Sequence, residues 1–186
     1  MDMSLNKEAR GQNRGFEESV EIIKADLSKD GKTLDITAVY LKEFGAKDLA
    51  NMDFLEGLTT LEMGTNLIGP KGMKSIARSP YLKNLTSLNL FYNKIGNEGV
   101  KYLATSDNLV SLKSLTLSDN DITDEGAKYL AKFLPLFTNL LRLDMRLNKI
   151  KEEGKNALRE IQPKTTIKQL LLDKEEGFQV KTSGHL

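Results

Sequence analysis

The sequence has no cysteine and a single histidine, His185, next to the last residue. Without cysteine there is no disulfide, no thiolate metal site and no cysteine nucleophile, a composition compatible with a reducing cytosol. With its only histidine at the chain end, the Ser–His and Cys–His arrangements of nucleophilic catalysis are missing too. An excess of charge is also lacking, since 27 Lys plus Arg against 26 Asp plus Glu leaves a net charge of +1. Binding to a phosphate backbone draws on clustered basic residues, so no nucleic acid is expected as a partner. No apolar run reaches the length of a membrane span, and Met1–Gly15 lacks the apolar segment of a signal peptide. With Met1 as the natural start, a cytoplasmic protein without membrane attachment is expected. A secreted effector is the alternative.

What the sequence does contain is a repeat. Leu34, Leu61, Leu88, Leu115, Leu143 and Leu170 recur at spacings of 27, 27, 27, 28 and 27. A period of this size means stacked supersecondary units, each of which buries its apolar face only against its neighbours. One unit reads Leu85-x-x-Leu88-x-Leu90-x-x-Asn93-x-Ile95-x-x-x-Gly99-x-x-x-Leu103-Ala104. The Leu-x-Leu alternation predicts a short strand with one buried face. Asn66, Asn93, Asn120 and Asn148 end these strands, where a buried amide can satisfy backbone groups of a turning chain and form a ladder through the stack. A helix follows in each unit. Gly69-Pro70 and Thr123-Asp124-Glu125 are helix-start signals, the latter an N-cap followed by first-turn carboxylates. Gly72, Gly99, Gly126 and Gly154 fall in the first helical turn, where close approach to a neighbouring coil would offset their poor helix propensity.

These units resemble the leucine-rich repeat superfamily, signature L-x-x-L-x-L-x-x-N-x-I/L. The unit length and the G-x-x-x-L-A helix are similar to the ribonuclease-inhibitor-like class, and Asn120–Gly126 is similar to repeats of NOD-like receptors and F-box-associated proteins. The resemblance implies an α/β solenoid, a short right-handed horseshoe with parallel strands on the concave face and helices on the convex face. It also implies protein binding as the usual role. The pattern weakens at both ends: Val39 replaces the ladder asparagine in the first unit, and the sixth breaks off after Leu172.

The expected organisation is a disordered segment over 1–12, a capping helix within 13–31, the repeat domain over 32–176 and a tail over 177–186. Phe16, Val20, Ile23 and Leu27 form one helical stripe for the cap, which could alternatively bind a partner. Phe178 and Val180 could fold back as a second cap. Packing losses are expected to be largest at Leu88, Leu115 and Leu143 and smaller at the termini.

Side chains alternate along a strand, so residues flanking the buried leucines face the concave surface. Most are small or polar. Phe91 and Tyr92 are exceptions, with Arg146 and Leu147 two coils along; aromatics and arginine are the usual hot-spot types. The candidate protein-binding patch is Phe91, Tyr92, Asp119, Asp144, Arg146 and Leu147. The alternative is that Phe91 covers strand surface and Arg146 pairs with Asp144 or Asp119. The acidic group Asp119, Asp121, Asp124 and Glu125 does not fit an EF-hand loop and reads as capping and turn chemistry. Gly69–Ser75 lacks the Walker spacing. No catalytic residue, metal or cofactor is expected. The function read from the sequence is a monomeric protein-interaction module of unspecified partner. A regulator of an enzyme such as a small GTPase, a bacterial effector acting on host proteins and a self-associating structural element are the alternatives.

Overall fold

The Leu-x-Leu alternation becomes a three-residue strand in every unit, because the leucine turns inward while both neighbours stay on the open side. In the computed structural model, which describes residues 16–174, the strands are β1 (Thr33–Asp35), β2 (Thr60–Glu62), β3 (Ser87–Asn89), β4 (Ser114–Thr116), β5 (Arg142–Asp144) and β6 (Gln169–Leu171). They form one parallel sheet in sequence order. The register aligns Leu34, Leu61, Leu88, Leu115, Leu143 and Leu170 in one row. A slip of one residue would turn that row to solvent, so burial of the leucines fixes the register.

A helix lies between successive strands: α2 (Lys42–Leu49), α3 (Gly69–Arg78), α4 (Gly96–Ala104), α5 (Asp124–Phe133) and α6 (Glu152–Ile161), preceded by α1 (Phe16–Asp26). The core runs between sheet and helices as a single stack. Ala127, Leu130, Ala131 and Leu134 are buried, as their helical spacing predicts. Each fully buried leucine contributes about 1.5–3 kcal/mol through removal from water. No helix among the described residues is long and apolar enough to cross a membrane.

The asparagine ladder has a direction. Asn120 Oδ1 accepts the N–H groups of Asn93 (3.0 Å) and Ile95 (3.3 Å) in the preceding coil, and its Nδ2 donates to Leu90 O (2.7 Å) and Ser118 O (3.1 Å). Asn93 does the same for Asn66 and Ile68, and Asn148 for Asn120 and Ile122. Asn66 Oδ1 takes Leu41 N–H at 3.1 Å. Each amide oxygen therefore serves the coil before it. The first coil has no earlier repeat to serve, which accounts physically for Val39 in the asparagine slot.

The helix starts are also tied across coils. Thr123 sits at the cap position of α5 but makes no side-chain cap bond to its own helix; its hydroxyl accepts from Asn97 Nδ2 at 2.9 Å. Asp124, expected to act on α5, instead accepts Lys151 N–H (2.8 Å) and Gly154 N–H (2.9 Å) at the start of α6. Asn97 likewise receives Thr123 N–H at 3.0 Å. The glycines at 126 and 154 make room for these groups: a Cβ there would lie 2.5 Å from Asn97 Oδ1 and 2.6 Å from Asp124 Oδ1. Ser79 and Ser106 add a connection absent from the sequence reading, their buried hydroxyls donating to Ala50 O and Ala77 O of the preceding coil.

At the N-terminal end, α1 packs on α2 and buries Ile23 completely. It stops at Asp26 because Leu27 leaves the helix to form an antiparallel bridge with Leu34. The apolar stripe is only partly used. Val20 and Leu27 are half-buried, whereas Phe16 remains 49% exposed. The disordered segment expected over 1–12 and the tail expected over 177–186, with Phe178, Val180 and His185, lie outside the described residues.

Candidate functional site

The open face of the sheet carries a groove of about 450 Å³, lined by Asn89, Phe91, Thr116, Ser118, Arg142, Asp144, Arg146, Leu147 and Asp173. It is built by strand order. β3 and its exit supply Phe91, β4 supplies only the small Thr116 and Ser118, and β5 and its exit supply two arginines and Leu147. Large residues on two strands with small ones between them leave a depression one strand wide.

Of the six candidate patch residues, the groove gathers Phe91, Asp144, Arg146 and Leu147. Tyr92 and Asp119 lie beside it on the strand-exit turns and do not line it. Phe91 and Tyr92 are 37% and 39% exposed, their rings 6.1 Å apart and tilted by 41°.

Asp144 is not a surface residue. It is 2% exposed and sits under a pair of guanidinium groups. Arg146 holds it through two bonds, Nε to Oδ1 at 3.0 Å and Nη2 to Oδ2 at 2.6 Å, and Arg146 N–H adds a third at 3.2 Å. Arg142 Nη2 reaches Oδ2 at 3.1 Å, while its Nη1 donates to Thr116 Oγ1 at 3.3 Å. A two-point arginine–carboxylate contact fixes the plane of the guanidinium as well as its position. Arg146 thus pairs with Asp144, as one of the sequence readings allowed, and not with Asp119. Arg142 was missed. It stands two residues before Asp144 on the same strand, and counting by twos along the strand face finds it.

Burial pushes the Asp144 carboxyl up, but the Arg146 hydrogen bonds and the charges of both arginines more than offset this, so its pKa falls below the ordinary value. The Arg146 guanidinium is pushed up by the hydrogen bond and charge of Asp144. A depressed folded-state pKa means stability that is present above the unfolded carboxylate pKa and lost as pH falls through the folded one. Wild type should therefore lose thermal stability relative to Asp144→Asn below about pH 4, where carboxylates titrate. Parallel melting curves of the two proteins between neutral and strongly acid pH check this; a constant difference across the range would refute it.

Leu147 is an exposed apolar residue on the groove. Its side chain is 63% exposed, and its φ of 57° is left-handed. Left-handed backbone costs an L-residue roughly 1–2 kcal/mol. Ala38, Thr65, Tyr92 and Asp119 share this conformation at the equivalent strand exits, with φ between 51° and 59°. The coil geometry thus requires the conformation, and Leu147 N–H is fastened to Asp173 Oδ1 at 2.9 Å. Nothing in the packing, however, rewards leucine there over asparagine or glycine.

The acidic cluster disperses into structural contacts. Asp121 pairs with Lys149 at 2.6 Å, Glu125 pairs with Lys101 at 2.9 Å, and Asp124 holds the start of α6. Among the described residues no group of three or more His, Cys, Asp or Glu side chains could hold a metal ion.

A family model described as Leucine Rich repeat matches residues 58–77, 81–104 and 108–131. Among solved structures, an internalin from Listeria monocytogenes str. 4b F2365 is similar at 25% identity and a TM-score of 0.44, covering 70% of this chain and 32% of that one. The chain thus spans about a third of the internalin's length. Leiomodin-1 actin-binding site 2 is similar at 13% identity and a TM-score of 0.49, covering 88% of this chain and 82% of that one. No curated protein matches the sequence. Matched repeats, a parallel sheet in sequence order and an asparagine ladder make the fold an α/β leucine-rich repeat solenoid.

Proposed function

We propose that this chain is a protein-binding module whose partner docks on the open face of the sheet, over the groove between Phe91 and Leu147. The observation that carries the reading is Leu147, an apolar residue 63% exposed on the groove that Phe91 and two arginines also line. A partner that covers it removes that apolar surface from water. Phe91 provides a second apolar anchor, and the two arginines are pre-organised by a buried carboxylate, so little side-chain entropy is lost on docking. Asp144, the buried carboxylate of the groove, is taken up by the two guanidinium groups, which hold its pKa below the ordinary value and do not suit it to act as a base there.

The test is cross-linked capture of a partner from source cells with wild type and with Phe91→Ala/Leu147→Asp. This pair is preferable to any change at Arg146, which would disturb buried Asp144. Circular dichroism should show both proteins folded, and the captured partner should bind the variant at least about tenfold more weakly, as expected when anchors of this kind are removed. Equal binding by the two proteins would place recognition elsewhere.

A further inference from the structure

We infer that the groove is a slot for one aromatic side chain of the partner, inserted over Ser118 between Phe91 and the guanidinium pair. The inference rests on the docking face just proposed and names what occupies it.

Phe91, Ser118 and Arg146 occupy equivalent positions on three successive strand exits. Tyr92 N–H bonds Ser118 O and Asp119 N–H bonds Arg146 O, so the parallel pairing persists beyond the strands at this level. Neighbouring strands lie about 4.8 Å apart, so the backbones of Phe91 and Arg146 are about 10 Å apart across the small Ser118. With two large side chains standing at the edges, the remaining gap suits a flat group better than a branched aliphatic one. The walls favour a π-system as well. Phe91 offers a ring for offset or edge-to-face contact. Arg146 and Arg142 offer cations for the negative face of a ring, and Asp144 holds their planes in place. An arginine from the partner would be equally flat but would meet two like charges. An acidic side chain finds the hydrogen-bond donors of Arg146 and Arg142 already engaged by Asp144, which lies beneath them. The hydroxyls of Ser118 and Thr116 at the floor suit a polar ring edge, as in tyrosine or tryptophan.

Titration with N-acetyl-tyrosinamide, N-acetyl-leucinamide and N-acetyl-aspartamide, read by amide-resolved NMR, tests the inference on the intact chain. Saturable shifts of the Thr116, Ser118 and Arg146 amides are expected with the tyrosine probe, at least about fivefold tighter than with the other two. Ser118→Phe fills the slot and should abolish them. Phe91→Ala removes the ring wall without touching Asp144, and should weaken them several-fold; it also serves if Ser118→Phe fails to fold. Absence of saturable shifts at these amides, equal response to all three probes, or preference for leucine or aspartate would each overturn the aromatic slot. If one of those results accompanies a partner that still depends on Phe91 and Leu147, the slot fails and the docking face stands. Loss of both would remove the face as well.

Discussion

Asn120→Ala should destabilise the chain by roughly 3–5 kcal/mol, since buried polar groups left without partners cost about 1–3 kcal/mol each. Asn120 is fully buried, and its removal orphans the N–H groups of Asn93 and Ile95 while Leu90 O and Ser118 O lose a donor. Neither N–H can turn to water, because the coil on each side is closed. Asn148→Ala is the internal comparison. It makes the equivalent bonds, but its side chain is only half-buried, so water can replace part of what is lost and the cost should be smaller. Asn120→Asp should fail in a way that alanine does not. A carboxylate can accept the two N–H bonds but faces two carbonyl oxygens with no hydrogen to offer. Burial against those oxygens raises its folded-state pKa, so any stability it retains is present below the unfolded carboxylate pKa and lost as pH rises through the raised one. Urea titrations of the three variants at neutral and acid pH measure all of this. Equal losses for Asn120→Ala and Asn148→Ala would mean that access to water does not set the cost of breaking the ladder.

Leu115→Ala is expected to cost about 2–5 kcal/mol, as core truncations do. The comparison across the row is more informative. Leu115 and Leu143 are fully buried in the middle of the stack, and so is Leu34 at its N-terminal end, roofed by α1 and the Leu27 bridge. Leu34→Ala should therefore cost nearly as much as Leu115→Ala, contrary to the expectation from a bare solenoid that both end coils are cheap. Leu170 is only half-buried, and Leu170→Ala should cost about 1 kcal/mol, the ordinary scale for a site without a full cavity. Hydrogen exchange should show Leu170→Ala loosening β6 and α6 while β2–β4 stay protected, because each coil contacts only its neighbours. Uniform loss of protection along the chain would mean that the stack opens as one unit.

The candidate site was partly legible in the sequence. Phe91, Arg146 and Leu147 stand out as residue types on a strand face that is otherwise small and polar, and period-two alternation places them in the open. Asp144 did not read correctly, since alternation puts it on the same face and says nothing of the two arginines that close over it. Arg142 was not legible among the positions between and after the leucines, because it precedes its leucine on the strand. The trans-coil roles of Asn97 and Asp124 were illegible for a similar reason. A first-turn carboxylate looks like a cap for its own helix, and only the stacking offset brings it to the next helix start.

The sequence by itself determined the repeat and the short strand of each unit, because the period and the Leu-x-Leu alternation leave only one way to bury the leucines; the parallel sheet was what the resemblance to leucine-rich repeats implied. It also determined the asparagine ladder, since a polar residue recurring beside a core row must be satisfied by the neighbouring coil. What only the tertiary structure decided is which face residues meet across strands. The Arg142–Asp144–Arg146 clamp, the groove between Phe91 and Leu147 and the exposure of Leu147 depend on side-chain burial and rotamer choice between coils, distances that a one-dimensional period does not contain.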